Sequence, residues 1–143
     1  MLTVREAREK DLGRLLGIIN EPSVIEHMPL ERPVKMDKVR GWYESFVKFR
    51  NPLIFVLELD KVIGVCTLNE AGKITIWVDE EHQGKGYGTH ALDWLKDYAK
   101  RRGMKRLWLE CFRENESALE FYFGSGFQEK AEIASSLILE CLL

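Results

Sequence analysis

Several features that define special classes of protein are missing from this 143-residue sequence. No apolar run approaches the ~20 residues of a membrane-spanning helix, which argues against a membrane protein. The N-terminus is charged from the start and lacks the apolar core of a signal peptide. The three cysteines show no paired spacing, which argues against a disulfide framework. We therefore expect a cytoplasmic protein with reduced thiols.

The net charge and the positions of the metal-ligating residues exclude further classes of protein. A net charge of −2 does not suggest a nucleic-acid-binding surface. The three histidines are scattered, and no Cys/His spacing suggests zinc, so we expect no metal site. Without repeats or linkers, the chain has the length of one domain, residues 1–143, with a real hydrophobic core.

Hydrophobic periodicity gives the order strand, helix, helix, three strands, helix, strand, helix, two strands. Residues 11–19 read as a helix with Asp11 as N-cap, and residues 20–35 read as irregular because of their prolines. Residues 37–49 form a second helix. Its inward-facing residues are predicted to be Val39, Trp42, Tyr43, Phe46 and Phe49.

The apolar runs on either side of Asp60-Lys61 predict an antiparallel hairpin, and a third strand follows at 73–79. The unit from 73 to 112 predicts a right-handed parallel crossover through a long helix that Gly103 ends. A short helix over 116–123 and two final strands complete the chain. We therefore predict an α/β (α+β) fold with a mixed, mostly antiparallel central sheet and about four flanking helices.

Three glycines at alternate positions, Gly84, Gly86 and Gly88, separate the third of these strands from the long helix. The first turn of a helix has unpaired backbone N–H groups and a positive dipole end, which together bind anions. Residues without Cβ open those groups to phosphate oxygens. Lys85 can add a charge and Thr89 a hydroxyl, so the loop predicts an anion site.

The loop pattern also limits the identity of the anion. The P-loop pattern GxxxxGK[ST] is absent, and the dinucleotide pattern GxGxxG needs a glycine where Thr89 stands. Glu110, at the end of the next strand, does match the position of a ribose-binding acid. A nicotinamide cofactor therefore stays an alternative, which the antiparallel first half of the chain disfavours.

The segment from Gln83 to Gly88, QGKGYG, matches Q/R-x-x-G-x-G/A, the pyrophosphate-binding signature of the GNAT acyl-CoA N-acyltransferase superfamily. The later segment LECFRENESALEFYFGSGF resembles the second signature of that family, in the right order. The chain is thus similar to GNAT enzymes, including members that acetylate the N-terminal alanine of ribosomal proteins. Among the departures from the family pattern, Glu80 stands where proline is common.

This resemblance implies an acetyl-CoA site. The backbone of Ile76, Trp77 and Val78 would pair with the pantetheine arm at a splayed strand edge, and Asn115 would contact the cofactor near the pantetheine. The pyrophosphate would lie on the N–H groups from Gly84 to Thr89. The complete set of cofactor-binding residues predicted in this way is Ile76, Trp77, Val78, Gln83, Gly84, Lys85, Gly86, Tyr87, Gly88, Thr89 and Asn115.

The resemblance also implies the catalytic residues. Tyr122 would lie beside the sulfur and protonate the departing thiolate, while the N–H of Val78 holds the carbonyl oxygen. Glu110 corresponds to the base of members that acetylate protein N-termini. A glutamate with an ordinary pKa near 4.3 is a weak base for an ammonium, so desolvation or a water relay is needed. Because alternation along residues 106–112 puts Glu110 on the face opposite Leu107 and Leu109, a solvent-facing structural glutamate is the alternative.

The expected function is transfer of acetyl to a primary amine, either a protein N-terminus or a small amine or amino acid. Residues 20–35 are the expected acceptor wall, where Glu21, Glu26 and Glu31 either attract a cationic amine or are solvated loop charges. A CoA-binding regulatory domain without turnover is the alternative function. The short C-terminal hairpin also leaves a homodimer contact open.

Overall fold

Two antiparallel sheets that touch at one point define the architecture. The computed structural model describes residues 1–143. The strands are β1 Thr3–Glu6, β2 Leu53–Glu58, β3 Val62–Leu68, β4 Ile74–Val78, β5 Arg106–Phe112, β6 Gln128–Ile133 and β7 Ser136–Leu142. The helices are α1 Leu12–Ile19, α2 Pro22–Ile25, α3 Met36–Phe49, α4 Tyr87–Arg101 and α5 Glu116–Gly124.

The first sheet has the order β1-β2-β3-β4 and is antiparallel throughout. The predicted hairpin across Asp60-Lys61 joins β2 to β3, and β4 pairs with β3 as expected. The second sheet has the order β5-β7-β6 and is also antiparallel. The α/β class, the antiparallel character and the order of elements are thus confirmed.

The predicted parallel crossover is present in a reduced form. β4 and β5 meet at one parallel bridge between Lys73 and Trp108, where the Trp108 N–H donates to the Gly72 carbonyl at 3.0 Å. Beyond this point they separate, because each strand belongs to a different sheet. The central sheet is therefore split, and a wedge-shaped gap opens between β4 and β5 toward the C-terminal end of β4.

Two hydrophobic clusters cover opposite faces of the first sheet. One contains 19 buried residues and unites α4 with the second sheet. The other contains 15 and unites α1, α2 and α3 with the opposite face. Strand alternation explains this division, since successive side chains point to opposite faces. In β5, Leu107, Leu109 and Cys111 are buried, while Glu110 is exposed on the other face, as predicted.

Three local predictions were wrong. Asp11 precedes α1 but does not cap it, because its carboxylate accepts hydrogen bonds from Arg5 and from the Arg8 N–H instead. Pro22 does not prevent a helix. It stands at the first position of α2, where its missing N–H costs nothing. Phe49 is 66% exposed rather than inward, since it occupies the last turn of α3.

None of the helices is both long enough and apolar enough to cross a membrane.

Candidate active site

The gap between β4 and β5 presents unpaired backbone groups of β4. The hydrogen bond from Asp79 N–H to Ile63 O, at 2.8 Å, fixes the alternation of the β3–β4 ladder. In this register Trp77 turns its backbone groups toward Val65 of β3, whereas those of Ile76 and Val78 face the gap. Two of the three predicted strand-edge residues thus offer backbone groups to a ligand, and Trp77 offers its side chain instead.

The glycine loop follows a short 3-10 turn, Glu80–His82. Gly84 and Gly86 have positive φ values of +73° and +87°, a region that residues with a Cβ rarely adopt. A Cβ at either position would meet no protein atom within 4 Å, so both face open space. Gly88 differs, because it lies in the first turn of α4 and a Cβ there would touch the Phe121 ring at 3.7 Å.

The loop leaves a continuous set of unpaired donors at the start of α4. None of the backbone N–H groups from Gly84 to Thr89 donates to a protein acceptor. The helical ladder begins only with His90, whose N–H donates to the Gly86 carbonyl at 3.1 Å. Lys85 and Thr89 are exposed beside these donors, and Lys85 has no ion-pair partner. The unpaired N–H groups, the positive end of the α4 dipole and the unpaired ammonium of Lys85 together suit the binding of an anion.

Asp79 holds the start of this loop in place. Its buried carboxylate accepts hydrogen bonds from Arg14 Nη2 at 2.5 Å and from the His82 N–H at 3.0 Å, and it contacts His82 Nδ1 at 2.6 Å. Arg14 also donates to the Val62 carbonyl. Asp79, Glu81 and His82 bring potential metal-ligand atoms within 4.8 Å of one another. The guanidinium of Arg14 already compensates the Asp79 charge.

Gln83 and Glu80 connect the loop to α2. Gln83 Nε2 donates to the Val78 carbonyl at 2.9 Å and to Ser23 Oγ at 3.2 Å, so this side chain braces the loop. The Glu80 N–H donates to Glu21 Oε2 at 2.7 Å, and Glu80 Oε1 accepts from the Ser23 N–H at 3.0 Å. Proline, the residue common in the family at position 80, has neither the N–H nor the carboxylate.

Asn115 and Tyr122 lie on the β5 side of the gap. Asn115 caps α5, because its Oδ1 accepts the Ala118 N–H at 3.3 Å, and its amide NH₂ has no protein partner. Tyr122 is 9% exposed and packs edge-on against Phe121 and Phe127. Its hydroxyl makes no hydrogen bond in the protein, yet it is not among the fully buried unpaired polar atoms. The hydroxyl therefore reaches the gap.

Burial and the neighbouring thiols set the acidity of this hydroxyl. Burial raises the pKa of Tyr122 above its usual value, and Cys111 and Cys66 raise it further. Burial likewise raises the pKa of both thiols. Tyr122 is therefore a neutral proton donor at ordinary pH, as the acid role requires.

Two cavities meet beside these residues. A cleft of about 180 Å³, here called the strand cleft, lies between β4, β5 and α5 and is lined by Val78, Asn115 and Tyr122, among others. A second space of about 360 Å³, here called the apolar cavity, lies between the first sheet and α1 and α3. Both cavities share seven lining residues, which are His27, Met28, Ile74, Thr75, Trp77, Glu110 and Phe112.

Glu110 stands at this junction. Its side chain lines both cavities and has no ion-pair partner. Because Glu110 is exposed, the surroundings offer it water rather than desolvation. This exposure fits a base that works through water, and it equally fits the alternative of a solvent-facing structural glutamate, so the base role of Glu110 stays a prediction.

Part of the predicted acceptor wall lies at the apolar cavity. His27, Met28 and Leu30 from the predicted segment line the apolar cavity, whereas Glu21, Glu26 and Glu31 do not. Glu21 is bound to the Glu80 N–H, and Glu26 lies 3.2 Å from His27. Sequence reasoning missed His27, Lys73 and Thr75. Strand alternation over 73–77 was the signal that could have found the last two.

Comparison with known proteins identifies the family. Residues 18–127, well over half of the chain, match the acetyltransferase (GNAT) family. The chain belongs to this family. The resemblance drawn from the two sequence signatures is thereby confirmed.

Individual relatives agree with this assignment. The [ribosomal protein bS18]-alanine N-acetyltransferase of Escherichia coli is 39% identical over 87 residues, covering 61% of this chain and 56% of that protein. An uncharacterized N-acetyltransferase of Methanocaldococcus jannaschii is 42% identical over 109 residues, covering 67% of this chain and 48% of that protein. The chain thus spans about half the length of these curated relatives.

Solved structures share the fold. The spermidine N-acetyltransferase of Vibrio cholerae, in complex with CoA and spermine, superposes with a TM-score of 0.87 at 22% identity. The match covers 99% of this chain and 95% of that one. At this identity the likeness concerns the fold alone.

Proposed function

We propose that this GNAT protein is an acetyl-CoA-dependent N-acetyltransferase that acts on a primary amine by direct transfer in a ternary complex. The acceptor is a protein N-terminal α-amino group or a small amine or amino acid. The observation that carries the proposal is the junction at Glu110, where the strand cleft meets the apolar cavity. Names of relatives that acetylate an N-terminal alanine or spermidine support the reaction type.

The strand cleft and glycine loop suit acetyl-CoA as cosubstrate. The pantetheine arm pairs with the unpaired backbone groups of Ile76, and the free amide of Asn115 donates to it. The Val78 carbonyl already accepts from Gln83, so Val78 offers the cosubstrate its N–H alone. The pyrophosphate lies on the N–H groups from Gly84 to Thr89, with Lys85 as counter-charge. Gln83 acts indirectly, by bracing the loop against the end of β4. None of these proposed contacts calls for a metal ion.

The chain's own groups supply the steps of the transfer. Glu110, through water, takes one proton from the acceptor ammonium, because only the neutral amine can attack the acetyl carbon. The nitrogen loses its second proton to water after its bond to the acetyl carbon has formed. The Val78 N–H, which faces the gap, stabilises negative charge on the carbonyl oxygen. Tyr122 donates its proton to the sulfur as the carbon–sulfur bond breaks. Solvent then returns a proton to Tyr122 and removes one from Glu110, which restores both groups.

An acceptor screen by thiol release tests the proposal, with small amines and N-terminal peptides assayed side by side. We expect turnover with at least one class. Tyr122→Phe should lower kcat about 100- to 10,000-fold, as expected for the loss of a general acid. Glu110→Gln should lower kcat by a similar factor while acetyl-CoA still binds.

Two results would contradict the proposal. Tight acetyl-CoA binding without transfer to any amine would favour the alternative of a CoA-binding regulatory domain. Binding of NADH in preference to acetyl-CoA, seen as a larger rise in thermal stability, would favour the nicotinamide alternative.

Three further expectations stay predictions within this proposal. Residues 1–143 form one N-acetyltransferase domain, which is supported by two core clusters that share the first sheet. The reaction takes place in the cytoplasm, which is consistent with three free cysteines. A homodimer contact at the C-terminal hairpin is testable by light scattering.

A further inference from the structure

The walls of the apolar cavity carry information about the acceptor. Twelve of its 20 lining residues are hydrophobic, and they come from α1, the loop after α2, α3 and β2 to β5. Trp42 and Trp77 face each other there, with ring centroids 6.5 Å apart. A cavity of about 360 Å³ with such walls favours an apolar group over a hydrated one.

The charges around this cavity are few and of both signs. Its titratable lining residues are His27, Lys73 and Glu110, so Glu110 is the single carboxylate. Lys73 places its ammonium 5.2 Å from the Trp108 ring centroid, and no carboxylate neutralises it. The acidic side chains of the 20–35 segment, which were candidates for attracting a cationic amine, are not among the lining residues. Glu21 accepts from the Glu80 N–H, and Glu26 lies next to His27.

These observations bear on the number of charges that the acceptor carries. One ammonium can approach Glu110 at the junction and give up its proton there. A second ammonium, placed deeper, would lose its hydration against aliphatic and aromatic walls without a carboxylate to replace it. The lysine at the same cavity would repel it further.

We infer that the acceptor is a primary amine with a single positive charge and an apolar substituent that fills the cavity beyond Glu110. This inference rests on the proposed function and narrows it. A free amine or amino acid and a peptide N-terminus with an apolar first residue both present this chemistry. A polyamine does not, although spermine is bound by the Vibrio cholerae neighbour of the same fold.

Hexylamine and 1,5-diaminopentane test the inference, since they have the same chain length and differ by a terminal methyl or ammonium. We expect kcat/KM to favour hexylamine about tenfold or more, the factor that corresponds to about 1.4 kcal/mol. Lys73→Glu, which adds a carboxylate, should bring the two amines close to parity. Lys73→Gln removes the charge alone and should retain most of the preference. Equal or better use of the diamine by the wild-type protein would overturn the inference.

Binding of the two amines to the CoA-loaded protein, measured by calorimetry, separates this inference from the proposed function. Tighter binding of hexylamine without any turnover would refute transfer but support the acceptor class. Turnover that favours the diamine, or equal binding of both amines, would refute the acceptor class alone. Leucinamide, leucine and a leucine-initiated peptide then distinguish the sources. Failure of all of them and of hexylamine to bind would also overturn the inference.

Discussion

Replacing Gly86 by alanine tests the loop as an anion site. With φ at +87°, a residue with a Cβ costs about 1–2 kcal/mol in this left-handed conformation. About 0.4–1 kcal/mol of this cost is offset, because alanine has less conformational entropy than glycine in the unfolded chain. The net loss in the free energy of unfolding is therefore about 1 kcal/mol, which lowers Tm by about 3 °C in a chain of this size.

The effect on the ligand should be larger than the effect on the fold. The new methyl group enters the space in front of the unpaired N–H groups, where no protein atom lies within 4 Å. Blocking one hydrogen bond to a charged oxygen costs about 1.5–3 kcal/mol. The Kd for acetyl-CoA, measured by calorimetric titration, should therefore rise about 10- to 100-fold.

Gly103→Ala is the matched control, at the opposite end of the same helix. Gly103 has φ at +76° and equally open surroundings, so its replacement should lower Tm by a similar amount. Acetyl-CoA binding should not change, because Gly103 lies at the C-terminal end of α4. Gly88→Ala, in helical conformation, should instead raise Tm slightly. Equal Kd values for Gly86→Ala and Gly103→Ala would refute the anion-site reasoning.

Three further perturbations probe other parts of the molecule. Because burial raises the pKa of Tyr122, the pH profile of kcat should show no decline from tyrosine ionisation up to about pH 10. A decline near pH 9 that is absent in Tyr122→Phe would contradict this. Glu80→Pro removes both hydrogen bonds to α2, so the acceptor KM should rise about three- to tenfold, whereas Glu80→Gln keeps the N–H and should change it little. Burial raises the pKa of Asp11, but hydrogen bonds from Arg5 and the Arg8 N–H lower it below the usual value overall. The stabilisation that the charged Asp11 carboxylate gives the fold is therefore present above about pH 4 and lost as the pH falls below that value. Asp11→Asn should lower the free energy of unfolding by about 2 kcal/mol at pH 7 and should remove the fall in Tm between about pH 4 and pH 2.

Sequence patterns predicted most of the elements because hydrophobic periodicity and turn residues are local signals. Strand alternation correctly placed Glu110 opposite the buried residues of β5. The predictions for Asp11 and Phe49 were wrong because the surroundings of these side chains are set by the tertiary structure. Whether Asp11 caps a helix or binds Arg5 depends on β1, which brings that arginine next to it.

The sequence by itself determined the family and pointed to the candidate anion-binding loop and the two candidate catalytic residues. Both signatures are short segments in which each fixed position has a chemical role. Only the tertiary structure decided that β4 and β5 separate after one bridge and that Ile76 and Val78, but not Trp77, turn backbone groups into the gap. It also decided that an apolar cavity lined by one carboxylate, the proposed acceptor side, lies next to the strand cleft. Those walls come from two helices, four strands and the loop after α2, and no local pattern reports which side chains meet across such distances.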